Sequence, residues 1–159
     1  MPFKKPHHTS DKSCMKEDED KFKIFPRGLN IVWGNDSRYW RIPEEGPAEL
    51  IQVSWLEVSG VVPITKAGTY SVSFEVKVKE DGFGWRDTDV LVMAKIGRSG
   101  KYKYQANRLS LGQNNVIPVK QLEIPVVGSS DLHFGLYEVW SGKWKGGLEI
   151  IKAVVQRLN

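Results

Sequence analysis

Two short stretches carry the side chains with the most chemical potential. Residues 30–40, NIVWGNDSRYW, set the indole rings of Trp33 and Trp40 on either side of Gly34-Asn35-Asp36-Ser37, with Tyr39 beside the second ring. Gly, Asn, Asp and Ser are turn formers, so these rings sit where the chain bends and cannot share one regular strand. Residues 136–150, LYEVWSGKWKGGLEI, add Tyr137, Trp140 and Trp144, with Glu138 and the tight turn Ser141-Gly142-Lys143 between them. Flat rings beside a few fixed polar groups suit sugars. The C–H face of a pyranose stacks on the electron-rich face of an indole. Its hydroxyls and any acetamide need directional partners, for which Glu138, Asn35, Asp36 and Ser141 are available. An unpaired partner in such a site costs about 1–3 kcal/mol, so polar groups set specificity while rings supply affinity.

Structural roles compete for the same residues. Glu138 has nearby cations, Lys143 and Lys145, with which to form an ion pair. Six tryptophans are many for 159 residues, and core packing is the expected role of Trp55, which alternates with Val53, and a fair one for Trp85 and Trp144. That role is weakest for Trp33 and Trp40.

Other chemistries find little support. Neither a GxxxxGK phosphate loop nor a GxGxxG fingerprint occurs, and there is no GxSxG nucleophile elbow. Of three histidines, His7 and His8 lie near the N-terminus and His133 sits between Leu132 and Phe134 on an expected strand, far in sequence from the single cysteine, Cys14. Asp131 and Glu138 are the carboxylates a glycosidase reading would pair, but seven residues apart on one strand they face opposite sides. Metal-ligand and calcium-loop spacings are absent. A binder with no metal and no cofactor is therefore expected rather than an enzyme. The other binding surface the sequence offers is Arg98, Lys101, Lys103 and Arg108 interleaved with Tyr102 and Tyr104, which would suit single-stranded RNA. A solvent-facing edge strand kept soluble by lysines explains it too.

The elements that must position these groups read as strands. In TYSVSFEVKVK (69–79), Tyr70, Val72, Phe74, Val76 and Val78 face one way, while Ser71, Ser73, Glu75, Lys77 and Lys79 face the other. That alternation is the mark of a half-buried strand. ELIQVSWLEVSGVV (49–62) alternates as well, and further strands are expected at 29–34, 89–97, 101–106, 117–127, 131–140 and 147–157, punctuated by Gly-, Asn- and Ser-rich turns. The expected fold is all-β, an antiparallel β-sandwich of jelly-roll type with at most one short helix, near residues 44–50. Residues 1–21, polar with two prolines, read as a flexible N-terminal tail, and 22–159 as one folded domain. The net charge of +4 is too small to argue for nucleic acid. No apolar run approaches the ~20 residues of a membrane helix, and no signal peptide is visible. With one cysteine, no internal disulfide is possible, and a cytoplasmic location is expected.

The succession LNIVWGNDSRYWRIP, AELIQVSWLEVSG, GTYSVSFEVK and FGLYEVWSGKWKGGLEI resembles the phloem protein 2, or Nictaba-like, family of plant lectins over roughly residues 28–157. The shared motifs are a W-x6-W, a V-x-WLE-x-G block and a closing E-x5-W-K-x-G-L-x-I. The resemblance implies a metal-independent β-sandwich lectin for N-acetylglucosamine oligomers (chitin oligosaccharides) and the chitobiose core of N-glycans, often a homodimer, found in cytoplasm, nucleus or phloem sap and linked to defence. It places binding tryptophans at Trp33 and Trp40 and the acidic binding residue at Glu138. A further acidic residue would fall near Asp131, and Trp144 and Lys145 match the closing motif. The resulting candidate site is Trp33, Trp40, Glu138, Tyr39, Asn35, Ser141, Trp140 and Lys145. Where some members carry a lysine run for nuclear import, this chain has KYKY at 101–104.

Overall fold

The alternation in residues 69–79 is realised as one long strand whose apolar face, from Tyr70 to Val78, is buried. Around it the computed structural model describes residues 7–158. In chain order the strands are β1 (Met15–Asp18), β2 (Lys21–Ile24), β3 (Asn30–Ile31), β4 (Trp40–Arg41), β5 (Ala48–Leu50), β6 (Leu56–Ile64) and β7 (Gly68–Phe83). There follow β8 (Val90–Ile96), β9 (Lys103–Asn107), β10 (Asn114–Ile117), β11 (Glu123–Val126), β12 (Ser130–Glu138) and β13 (Gly146–Arg157).

They form two antiparallel sheets. The larger has eight strands, with β7 and β13 side by side at its centre. β10 and β11 lie end to end along the free side of β7. β2 and β5 do the same along β13, extended by β1 and β4. The smaller sheet runs β3-β6-β12-β8-β9. Their inner faces meet in one apolar core, where the Phe74 ring of β7 lies 5.9 Å from the Phe134 ring of β12. The expected all-β antiparallel sandwich is what forms.

Several expectations change. The stretch 49–62 is not one strand. β5 ends at Leu50 in the larger sheet and β6 begins at Leu56 in the smaller, so residues 51–55 cross between sheets, held by a bridge from Val53 to Lys145 and by N–H bonds from Ile51 and Gln52 to the Tyr39 carbonyl. Residues 44–50 hold no helix and end in β5, and the only helical turns among the described residues are short 3-10 turns at Lys12–Cys14 and Pro26–Gly28. Of the strand expected at 117–127, only β11 forms within it, and β10 lies before it, reaching it only at Ile117. Of the expected tail, residues 1–6 lie outside the described residues. The rest is built into the sandwich: His8 bridges to Ile31, β1 pairs with β2, and β2 pairs with β13. No helix among the described residues is long and apolar enough to cross a membrane, and Cys14 is a free, half-buried thiol.

Candidate functional site

The opening loop decides which ring goes where. After β3, the Gly34 N–H donates to the Ile31 carbonyl at 2.9 Å, and the N–H groups of Tyr39 and Trp40 both donate to the Asp36 carbonyl at 3.0 Å. Gly34 is needed at this fold of the chain, because a Cβ there would stand 2.8 Å from both the Ile31 oxygen and the His8 Cβ. Trp33 has a positive φ of 67°, an uncommon conformation for a bulky residue and one often kept at ligand sites. Its N–H donates to His7 Nδ1 at 3.0 Å, and the Asn35 side-chain amide donates to the His7 carbonyl at 3.0 Å. Asn35 thus ties the loop to the N-terminal segment. The Asp36 carboxylate holds the Arg38 guanidinium at 2.8 Å, which lies over the Tyr39 ring 5.0 Å from its centroid.

At the end of the loop, consecutive residues face opposite ways. Tyr39 turns outward towards Trp33, while Trp40 opens β4 and enters the core at 2 % exposure. Trp40 was expected beside the ligand; its indole is packed with the core residues instead, and its Nε1 has no hydrogen-bond partner among the described residues.

Trp33 and Tyr39 meet edge to face at 5.6 Å, and Tyr39 and Trp144 lie 6.3 Å apart with planes tilted by 32°. Together with Val53, Ser54 and Trp55 they line an open groove of about 130 Å³. Trp33 is 38 % exposed, Trp55 46 % and Trp144 53 %. Pockets that engulf drug-sized ligands start at about 300 Å³, so this is a shallow platform for a ring laid flat. Trp55, expected in the core, reaches the surface because residues 51–55 belong to neither sheet, and its Nε1 donates to Glu57 Oε1 at 2.9 Å. Trp85 does occupy the core, donating its Nε1–H to the Gly146 carbonyl at 2.9 Å. Trp140 is exposed but does not line the groove.

Behind the groove lies a buried ion pair. Glu138 ends β12 and Lys145 precedes β13; Lys145 Nζ stands 2.9 Å from Glu138 Oε1 and donates to the Ser54 carbonyl at 2.8 Å. The Glu138 carboxylate also accepts the Ser141 hydroxyl at 2.5 Å and the N–H groups of Ser141 and Trp140 at 3.2 and 3.3 Å. Burial pushes the Glu138 carboxyl up, but the Ser141 hydroxyl, the Lys145 ammonium and the Ser141 N–H outweigh it, leaving the group below its usual range. The Lys145 backbone exchanges two 2.9 Å hydrogen bonds with Val53. One residue therefore holds both walls: Val53, Ser54 and Trp55 on one side and Trp144 on the other. Gly84, at φ 86°, packs under this wall, where a Cβ would collide with the Trp144 carbonyl.

Glu138 and Lys145 were expected at the ligand; both side chains are inside the protein and fully partnered. Ser141 is exposed, yet its hydroxyl is spent on Glu138. Asp131 sits exposed on the opposite side of β12 from the buried Glu138, so the two do not converge. Among the cations of the RNA reading, Arg108 is engaged with Asp87 and Asp89. No three His, Cys, Asp or Glu residues among those described are placed to hold a metal ion. Trp55 and Trp144 line the groove although neither was in the expected candidate site, and Trp55 was expected in the core. The signal for Trp55 was that Gln52 and Ser54 share a parity with Leu50 and Leu56, so neither face of 49–62 is continuously apolar.

The C-terminal carbohydrate-binding module (CBM6) of LamC, a marine laminarinase from Zobellia galactanivorans, superposes with a TM-score of 0.54 at 12 % identity, covering 87 % of this chain and 100 % of the module. At that identity the likeness concerns the sandwich fold alone. A lectin from Luffa acutangula is 36 % identical over a region covering 54 % of this chain and 46 % of its own. The Arabidopsis thaliana protein Phloem protein 2-like A9 is 41 % identical across 98 % of both chains. The family model Phloem protein 2 matches residues 19–157, which run from the β1–β2 turn to the end of β13 and take in Trp33, Tyr39, Trp55 and Trp144. On that match and on the full-length likeness to the Arabidopsis protein, this chain belongs to the phloem protein 2 family.

Proposed function

We propose that this chain is a lectin that holds sugar rings in the groove of Trp33, Tyr39, Trp55 and Trp144. The observation that carries this reading is the groove itself: three exposed indoles, Trp33, Trp55 and Trp144, and the half-buried Tyr39 come from three separate segments to line one shallow depression. Exposed clustered indoles are costly to solvation unless a ligand covers them, and an indole face suits the C–H face of a pyranose. The likeness to the Luffa lectin supports the same reading.

The ligand class we favour is β-linked N-acetylglucosamine oligomers, as chitin fragments or the chitobiose core of N-glycans. An acetamide offers a methyl group to the ring edges and a polar amide to the rim, where Ser54 and Glu57 lie. Binding needs no metal in this proposal. Glu138 and Lys145 position the walls and do not touch the sugar. A homodimer presenting two grooves, in cytoplasm or phloem sap, completes the reading. Calorimetric titration with chitobiose and chitotriose in EDTA tests it: affinity that rises with oligomer length supports it, and no heat at millimolar chitotriose refutes it.

A further inference from the structure

A second, larger cavity lies away from the aromatic groove. β3 is two residues long and covers only Val58 and Ser59 of β6, its other side being bridged to His8. β6 continues to Ile64, so on that side residues 60–64 have no strand neighbour among the described residues. Pro63, which lacks an N–H, suits such an edge and discourages addition of another strand. The segment leading into β1 stands off from this edge, and the gap is a cavity of about 420 Å³. That falls within the ~300–1,000 Å³ of small-molecule sites.

The lining is divided by character. Met15, Ile24, Val61, Pro63 and Phe134 make it mainly apolar, and Phe134 and Ile24 belong to the core. At the mouth stand Lys12, Arg98, His133 and Asp131. None of these four side chains makes a hydrogen bond or ion pair with another described residue. Elsewhere Arg38, Lys79, Arg108 and Lys145 are each matched to a carboxylate. Two cations and one carboxylate leave the mouth with a surplus positive charge, and both cations are free to turn towards a ligand.

We propose that this cleft is a second binding site, for a small amphipathic anion: an apolar body seated against Met15, Val61 and Pro63, and one anionic head, carboxylate or phosphate, held by Lys12 and Arg98. Asp131 at the same mouth disfavours further negative charge on the ligand. The site is independent of the sugar groove and shares no residue with it.

The test is titration of the full chain with octanoate, octyl phosphate and neutral octanol. One equivalent of octanoate or octyl phosphate should bind, at least about tenfold more tightly than octanol, the tighter of the two anions identifying the head group. Lys12 and Arg98 are exposed, so a Lys12→Ala/Arg98→Ala double variant should keep its urea midpoint while losing anion affinity about tenfold or more. Trp55→Ala should leave anion binding unchanged, and chitotriose should not compete. Failure of both anions to bind at millimolar concentration, equal affinity for octanol, or unchanged affinity in the double variant would each overturn the proposal. None of these outcomes bears on the lectin reading.

Discussion

Lys145 Nζ and Glu138 Oε1 lie 2.9 Å apart with both side chains buried, and the same ammonium reaches the Ser54 carbonyl at 2.8 Å. This pair fastens the end of β12 and the start of β13 to the crossover segment that carries Trp55. Removing one member of a buried pair leaves the other uncompensated, at a cost of about 3–5 kcal/mol. Glu138→Gln should therefore lower stability by that order in urea unfolding at pH 7. Where the protein remains folded, sugar affinity should fall because Trp55 and Trp144 lose their common support, although Glu138 itself lies buried behind the groove.

The same pair sets a pH dependence. The folded Glu138 carboxyl titrates below its unfolded value of about 4.5. Its contribution to stability is complete above that value and is lost as pH falls through the lower, folded one. Unfolding free energies measured from pH 7 to pH 3 should decline more steeply in the wild type than in Glu138→Gln below about pH 4.5. Parallel curves would remove the linkage.

Trp40 makes a contrasting case. As a core side chain at 2 % exposure, it should cost about 3–5 kcal/mol when cut to alanine. Trp40→Phe should cost far less: the lost volume is partly offset by removing a buried indole N–H with no partner among the described residues, worth about 1–3 kcal/mol. Thermal melts of the two variants separate the cases, and chitotriose affinity in Trp40→Phe should match the wild type.

Much of the fold was legible where one face of a strand is buried and the other wet. Residues 69–79 alternate cleanly and became the heart of β7 with every expected residue inside. β1 escaped notice because it lies at a sheet edge with its residues mostly exposed, so burial imposes no period on it. The site was half legible. The turn sequence of residues 34–37 revealed that Trp33 and Trp40 could not share a strand face, but not which ring returns to the core. That depends on hydrogen bonds to the Asp36 carbonyl and on the pairing of Trp40 with Leu50. Glu138 was correctly singled out as a polar group at the end of an apolar face. Its partner, Lys145, fixes it as an internal strut, and that choice needs the third dimension.

In the proposed lectin, the groove of Trp33, Tyr39, Trp55 and Trp144 holds the sugar while Trp40 holds the fold. Chitotriose affinity of Trp55→Ala set beside that of Trp40→Phe tests it most directly, with urea midpoints as the control. Losing a stacking ring at a binding centre costs about 2 kcal/mol or more, roughly 30-fold in affinity. Trp55→Ala should show that loss at unchanged stability, and Trp40→Phe should bind fully. Undiminished binding by Trp55→Ala, with binding lost in a stably folded Trp40→Phe, would contradict it.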